Sequence, residues 1–153
     1  MNIVEMLTQK GLTLSTVESC TGGLLAGYIT DFAGSSGVFT EGIVTYANEA
    51  KMRLGVSEKT LEKHGAVSAE CAAEMARALK KRTNTAIAVS TTGIAGPGGG
   101  TAEKPVGLVY SCVLTDKEER VYKFNFTGSR ADVRRQTVEK TIQNVMEAAE
   151  NDY

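Results

Sequence analysis

Leu12-Thr13-Leu14-Ser15-Thr16-Val17-Glu18-Ser19-Cys20-Thr21-Gly22-Gly23-Leu24-Leu25-Ala26 is the stretch on which the fold turns. Leu12 to Val17 alternates and reads as a strand. Leu24 to Phe32 reads as a helix stopped by Gly34. Only a short turn of small polar residues and glycines separates them, so a strand feeds a helix directly. The same alternation continues on both sides. Asn2 to Lys10 is a helix with Ile3, Val4, Met6 and Leu7 facing inward and Gly11 as its stop. Val38 to Tyr46 is a strand rich in β-formers. Asn48 can cap a short helix to Leu54, Ser57 starts another, and Ser68 caps a longer one. In that longer helix Glu70 and Glu74 come early and Arg77, Lys80, Lys81 and Arg82 late, matching the macrodipole. Thr85 to Thr92 is an apolar strand, followed by a glycine-rich loop from Gly93 to Pro105. Val106 to Leu114 and Arg120 to Phe126 alternate around Asp116-Lys117-Glu118-Glu119 and predict an antiparallel hairpin. Ser129 caps a last helix from Arg130 to about Glu150. Helices between strands, with a closing hairpin, predict a single three-layer α/β/α domain over residues 1–153 with a mixed sheet.

Composition narrows the function classes. The 153 residues carry 17 basic and 18 acidic side chains, a net charge of −1, which argues against direct nucleic-acid binding. No apolar run is long enough to span a bilayer, and the first residues lack a basic and then apolar leader. A cytoplasmic protein is expected. Cys20, Cys71 and Cys112 are odd in number and far apart, which suits reduced, buried thiols. His64 is the only histidine, so a His-rich metal site is excluded and no metal or organic cofactor is expected.

Three constellations could carry chemistry. Ser19-Cys20-Thr21-Gly22-Gly23 lies between a strand and a helix, where free N–H groups and the dipole suit an anion, although no GxxxxGK[ST] is present. The alternative is a capped turn. Gly93-Ile94-Ala95-Gly96-Pro97-Gly98-Gly99-Gly100 leaves another strand end and is either a ligand loop or a plain surface loop. Ser36, Tyr46 and Lys51 form the third set. A lysine in a helix's first turn opposes the dipole, and that field with burial would lower the amine pKa, as a lysine base needs. A strand between Ser36 and Tyr46 could place them at opposite ends, so the sequence leaves their meeting open. Arg130 and Arg134, one turn apart at a helix start, suit a phosphate or carboxylate, or form a solvated face. Cys20 at a helix start is a candidate thiolate, but a structural cysteine is the stronger reading.

Several strings, in order, resemble one family: Glu18-Ser19-Cys20-Thr21-Gly22-Gly23, Ala33-Gly34-Ser35-Ser36, Val44-Thr45-Tyr46-Ala47-Asn48-Glu49-Ala50-Lys51, His64-Gly65-Ala66-Val67-Ser68, Gly93-Ile94-Ala95-Gly96-Pro97-Gly98-Gly99, Lys104-Pro105-Val106-Gly107 and Gly128-Ser129-Arg130. The chain resembles the C-terminal domain of the competence/damage-inducible protein CinA, a family that includes stand-alone nicotinamide mononucleotide deamidases. The additional N-terminal domain of full-length CinA is expected to be absent. The resemblance implies an amidohydrolase that converts nicotinamide mononucleotide to nicotinate mononucleotide and ammonia. It implies a serine nucleophile ten residues before a tyrosine and fifteen before a lysine, here Ser36, Tyr46 and Lys51. Lys51, alone or through Tyr46, would accept the serine proton, and backbone N–H groups near Gly34–Gly37 would hold the oxyanion. Ser19, Thr21, Gly22, Gly23, Thr92, Gly93 and Gly96 would line the substrate pocket, with Arg130 on the phosphate and Arg134 behind it. The resemblance also implies homo-oligomers and allows a recombinase partner. The competing reading is a catalytically silent nucleotide-binding or protein-interaction domain linked to competence or DNA damage.

Overall fold

A computed structural model describes all residues 1–153. The expected three-layer domain is present. Its elements are α1 (Ile3–Lys10), β1 (Leu14–Glu18), α2 (Leu24–Thr30), a single 3-10 turn at Ser35–Gly37, β2 (Phe39–Val44), α3 (Asn48–Leu54), α4 (Glu58–His64), α5 (Ala69–Thr83), β3 (Ile87–Gly93), β4 (Leu108–Leu114), β5 (Glu119–Asn125) and α6 (Arg130–Asp152). The five strands lie in the order β2-β1-β3-β4-β5. The β1–β2 and β1–β3 pairs are parallel, and β3–β4 and β4–β5 are antiparallel.

Local chemistry sets the helix starts. Asn2 and Ser129 each close a capping box, with Glu5 and Asp132 reaching back to the cap backbone. Ser57 and Ser68 accept from Thr60 N and Cys71 N. Two layers then cover the sheet. On one face Ile3, Leu7, Leu25, Ile29, Ile142 and Val145 pack on Leu14, Ile87 and Val89. On the other, Cys71, Met75 and Leu79 of α5 pack on Val17 and Ala88. Neighbouring residues of one strand therefore serve opposite layers, as the two-residue period requires.

The expected polar–apolar alternation of β1 does not produce an exposed face. All five of its residues are buried, because β1 lies between two strands and under helices on both sides. Its polar members are absorbed internally: Ser15 Oγ bonds Thr85 Oγ1 at 2.8 Å and Thr83 Oγ1 at 3.0 Å. The partly exposed strands are the edges, β2 and β5, whose burial does alternate. No helix is long and apolar enough to cross a membrane. The three parallel strands bring the ends of β1, β2 and β3 to one rim of the sheet, where ligands of open α/β sheets bind.

Candidate active site

At that rim lies a cavity of about 290 Å³, lined among others by Ser19 just after β1, Tyr46 and Lys51 from beyond β2, Thr92 from the end of β3 and Gly96 from beyond it, and Arg130 from α6. Its floor is a buried amine. Lys51 is 1% exposed. Its Nζ donates to Thr45 O at 2.7 Å, to Tyr46 O at 3.1 Å and to Ser19 Oγ at 3.0 Å. None of the three is a carboxylate. Burial, without an acid to offset it, pulls the Lys51 pKa below its ordinary value.

The two carbonyls also fix the direction of the amine. A neutral amine has two N–H donors and one lone pair. Thr45 O and Tyr46 O can only accept, so they take both N–H groups. Once the amine has lost a proton, its lone pair is left facing Ser19, whose hydroxyl can then donate to it. A serine and a lysine so placed can pass a proton between them.

The structure brings Tyr46 and Lys51 together but not Ser36. Ser36 is exposed, in the turn before β2, whereas Tyr46 and Lys51 follow it. Six strand residues at about 3.3 Å each place the two groups roughly 20 Å apart. The serine beside the lysine is Ser19, which the sequence reading had assigned to substrate binding. Tyr46 also meets Lys51 differently than expected: its backbone carbonyl holds the amine, while its hydroxyl accepts from Arg130 Nη2 at 3.0 Å.

The turn after β1 is not an open anion cradle. Glu18 is buried and its carboxylate occupies the start of α2, accepting from Leu25 N at 2.8 Å, Ala26 N at 3.1 Å and Thr21 Oγ1 at 2.6 Å. The chain supplies its own anion to the dipole. Thr21 is thereby drawn inward and also bonds Thr91 Oγ1 at 2.8 Å, so it does not line the cavity. Arg134 is committed too: Nε donates to Cys20 O and Nη2 to Thr21 O, both at 3.1 Å. It clamps the turn instead of facing a ligand. Gly22, at φ +56°, lies against that guanidinium, and a Cβ there would come within 3.3 Å of Nη2. Gly23 lines a separate groove between α2 and α6, about 430 Å³, which contains no serine, cysteine or lysine.

The remaining expected residues do converge. Thr92, Gly93 and Gly96 line the cavity, and Thr92 Oγ1 ties its wall to Ala66 O at 2.9 Å. Gly93 is required by close approach, since a Cβ would come within 2.6 Å of Val109 Cγ2. Arg130 stands at the mouth and donates from Nη1 to Gly96 O at 2.9 Å. Cys20 also lines the cavity, but burial pushes its thiol up to about 11, the wrong direction for a thiolate nucleophile. Sequence reasoning missed Asn48, Ala66 and Val67 as lining residues. Asn48 was noted only as a cap. In fact Ala47 is the cap, and Asn48 is the first helical residue, one turn before Lys51.

Comparison with known proteins agrees with this architecture. Residues 1–149 match the family model of the CinA C-terminal domain. A competence-damage inducible protein of Clostridium perfringens is 56% identical over 144 residues, 94% of this chain and 34% of its own length. The chain thus spans about a third of the curated relatives it matches. The crystal structure of competence/damage inducible protein CihA from Agrobacterium tumefaciens superposes with a TM-score of 0.93 at 43% identity, covering 95% of this chain and 90% of that one. A competence damage-inducible protein from Klebsiella pneumoniae has a TM-score of 0.92 at 30% identity, with 99% of both chains covered. With a buried Ser–Lys pair at the rim and the family pattern running through almost every residue, the chain belongs to the CinA C-terminal domain family.

Proposed function

We propose that this domain is an amidohydrolase acting on the carboxamide of nicotinamide mononucleotide, with Ser19 as nucleophile and Lys51 as base. The observation that carries the reading is the buried Lys51 amine 3.0 Å from Ser19 Oγ, with no acid among its partners. The substrate rests on the family resemblance. It is supported by a cavity whose charged lining residues, Lys51 and Arg130, are both basic.

In the first half-reaction Ser19 Oγ attacks the carboxamide carbon as its proton passes to Lys51. The C–N bond breaks and Lys51 returns the proton to the leaving nitrogen, releasing ammonia and leaving an ester on Ser19. In the second, water attacks the ester carbon, Lys51 takes its proton, and the C–O bond breaks with the proton restored to Ser19 Oγ. The Cys20 N–H follows the nucleophile directly and makes no backbone–backbone hydrogen bond, which suits it as an oxyanion donor. Arg134, through Cys20 O and Thr21 O, fixes the two peptides that follow. Arg130 at the mouth is placed for a phosphate.

Ammonia release from nicotinamide mononucleotide tests the reading. Wild type is expected to release it. Ser19→Ala and Lys51→Ala, folded by circular dichroism, should lose at least about 10³-fold in rate. Ser36→Ala should stay within about twofold. Loss in Ser36→Ala with retention in Ser19→Ala would overturn the nucleophile. No release from folded wild type would overturn the amidase and favour the binding-domain reading.

A further inference from the structure

The cavity poses a charge problem. On the amidase reading, on which this inference rests, the carboxamide is carried by a quaternary pyridinium ring, so a positive charge must enter a site whose own charges are basic. No Asp or Glu lines the cavity. Glu18, adjacent to Ser19, has its oxygens engaged by Thr21, Leu25 and Ala26. The other group able to attract a cation is the face of an aromatic ring. Tyr46 is the cavity's one aromatic residue.

The Tyr46 ring is suitably placed and its face is open. The chain's cation–π pair lies elsewhere, Lys117 over Tyr153, and none of its ring–ring pairs includes Tyr46. Arg130 touches the phenol oxygen, 3.0 Å away, which fixes the ring by its rim. The backbone of the same residue accepts from Lys51 at 3.1 Å, so the ring leaves the chain beside the reacting amine. Tyr46 is 58% exposed and shares the lining of the 290 Å³ cavity with the apolar Ile94 and Val67.

We propose that Tyr46 is a specificity-determining residue: its face receives the pyridinium ring, its hydroxyl is anchored by Arg130, and the site thereby prefers the cationic ring to a neutral ring of the same shape. Calorimetric binding to Ser19→Ala protein, which does not consume ligand, tests this with nicotinamide mononucleotide and its reduced, uncharged 1,4-dihydropyridine form. The cationic form should bind about tenfold more tightly. Adding Tyr46→Phe should keep that preference, and adding Tyr46→Leu should reduce it to within about twofold. Ribose 5-phosphate, which has no ring cation, should bind all three proteins alike. Equal binding of the two ring forms, or a preference that survives Tyr46→Leu, overturns the proposal. So does a parallel loss of ribose 5-phosphate binding, which would mean that Tyr46 acts by bulk. Ammonia release by wild type, measured alongside, separates the two readings. Release with equal binding of the ring forms overturns the ring contact alone, and no release overturns the amidase and this proposal with it.

Discussion

Lys51 and Asp152 are both charged side chains sealed inside this domain, at opposite ends of the sheet, and they are treated in opposite ways. Asp152 lies by the β4–β5 turn. It accepts from Arg120 Nη1 at 2.7 Å, Arg120 Nη2 at 2.8 Å and Thr115 Oγ1 at 2.5 Å. The Arg120 guanidinium, with Thr115, brings its carboxyl down to about 2. Lys51 meets only carbonyls and a hydroxyl, and burial moves its pKa toward neutrality. The surroundings of Asp152 favour its charged form, and those of Lys51 disfavour it. Buried ions that stabilise a fold are paired. A buried ion left without a counter-charge marks where reactivity was selected instead.

The largest expected effect breaks that contrast at the site. Lys51→Met should abolish ammonia release, on the order of 10⁴-fold, while leaving the melting temperature unchanged or higher, because an uncompensated buried amine is removed. Calorimetry with an activity assay checks both. A melting temperature that falls as far as that of an Asp152 variant would erase the distinction.

Asp152→Asn should do the reverse. We expect a loss of about 2 kcal/mol at pH 7, or roughly 4–8 °C in melting temperature, with turnover kept. The pH dependences share a sign, because both folded pKa values are depressed, but they fall in different windows. Asp152 has a depressed carboxyl pKa, so its contribution is present above the unfolded value of about 3.9 and is lost as pH falls toward about 2. Lys51 has a depressed amine pKa, so the unfolded chain holds more protons between the folded and unfolded values. Its penalty therefore shrinks as pH rises through that window. Urea denaturation of wild type and Lys51→Met across alkaline pH should show their stabilities converging. For the same reason kcat/KM should rise with pH as the amine loses its proton. The smallest effect is Tyr46→Phe, which removes the hydrogen bond to Arg130 and should change kcat/KM about two- to threefold.

The contrast also shows what a sequence discloses. The helix starts at Ser57, Ser68 and Ser129 were legible because each cap depends on residues three positions away. Lys51 was singled out as a cation at a helix start, but the structure places it in the last turn of the short α3, where the dipole favours a cation, and burial is what lowers its pKa. Its partner was not legible. Ser19 is 32 residues distant and reaches Lys51 only through the parallel register that sets Glu18 beside Val44. Ser36 matched a spacing, but linear spacing does not say that a strand will carry two residues apart. Glu18 went unread because its role depends on the turn folding back over its own carboxylate. Arg134, grouped with Arg130 by sequence, parted from it in space because one faces the mouth and the other the turn.

That last pair has a consequence for how the gene can change length. Arg130 grips Gly96 and Tyr46, and Arg134 grips Cys20 and Thr21, so two residues of one helix, four positions apart, register three otherwise separate loops. Each helical residue advances about 100° around the axis. An inserted or deleted codon between them would swing one guanidinium off its loop, while exposed Ala131 could be exchanged freely. Over these five positions Ala131 should tolerate a change of spelling, and none should tolerate a change of length.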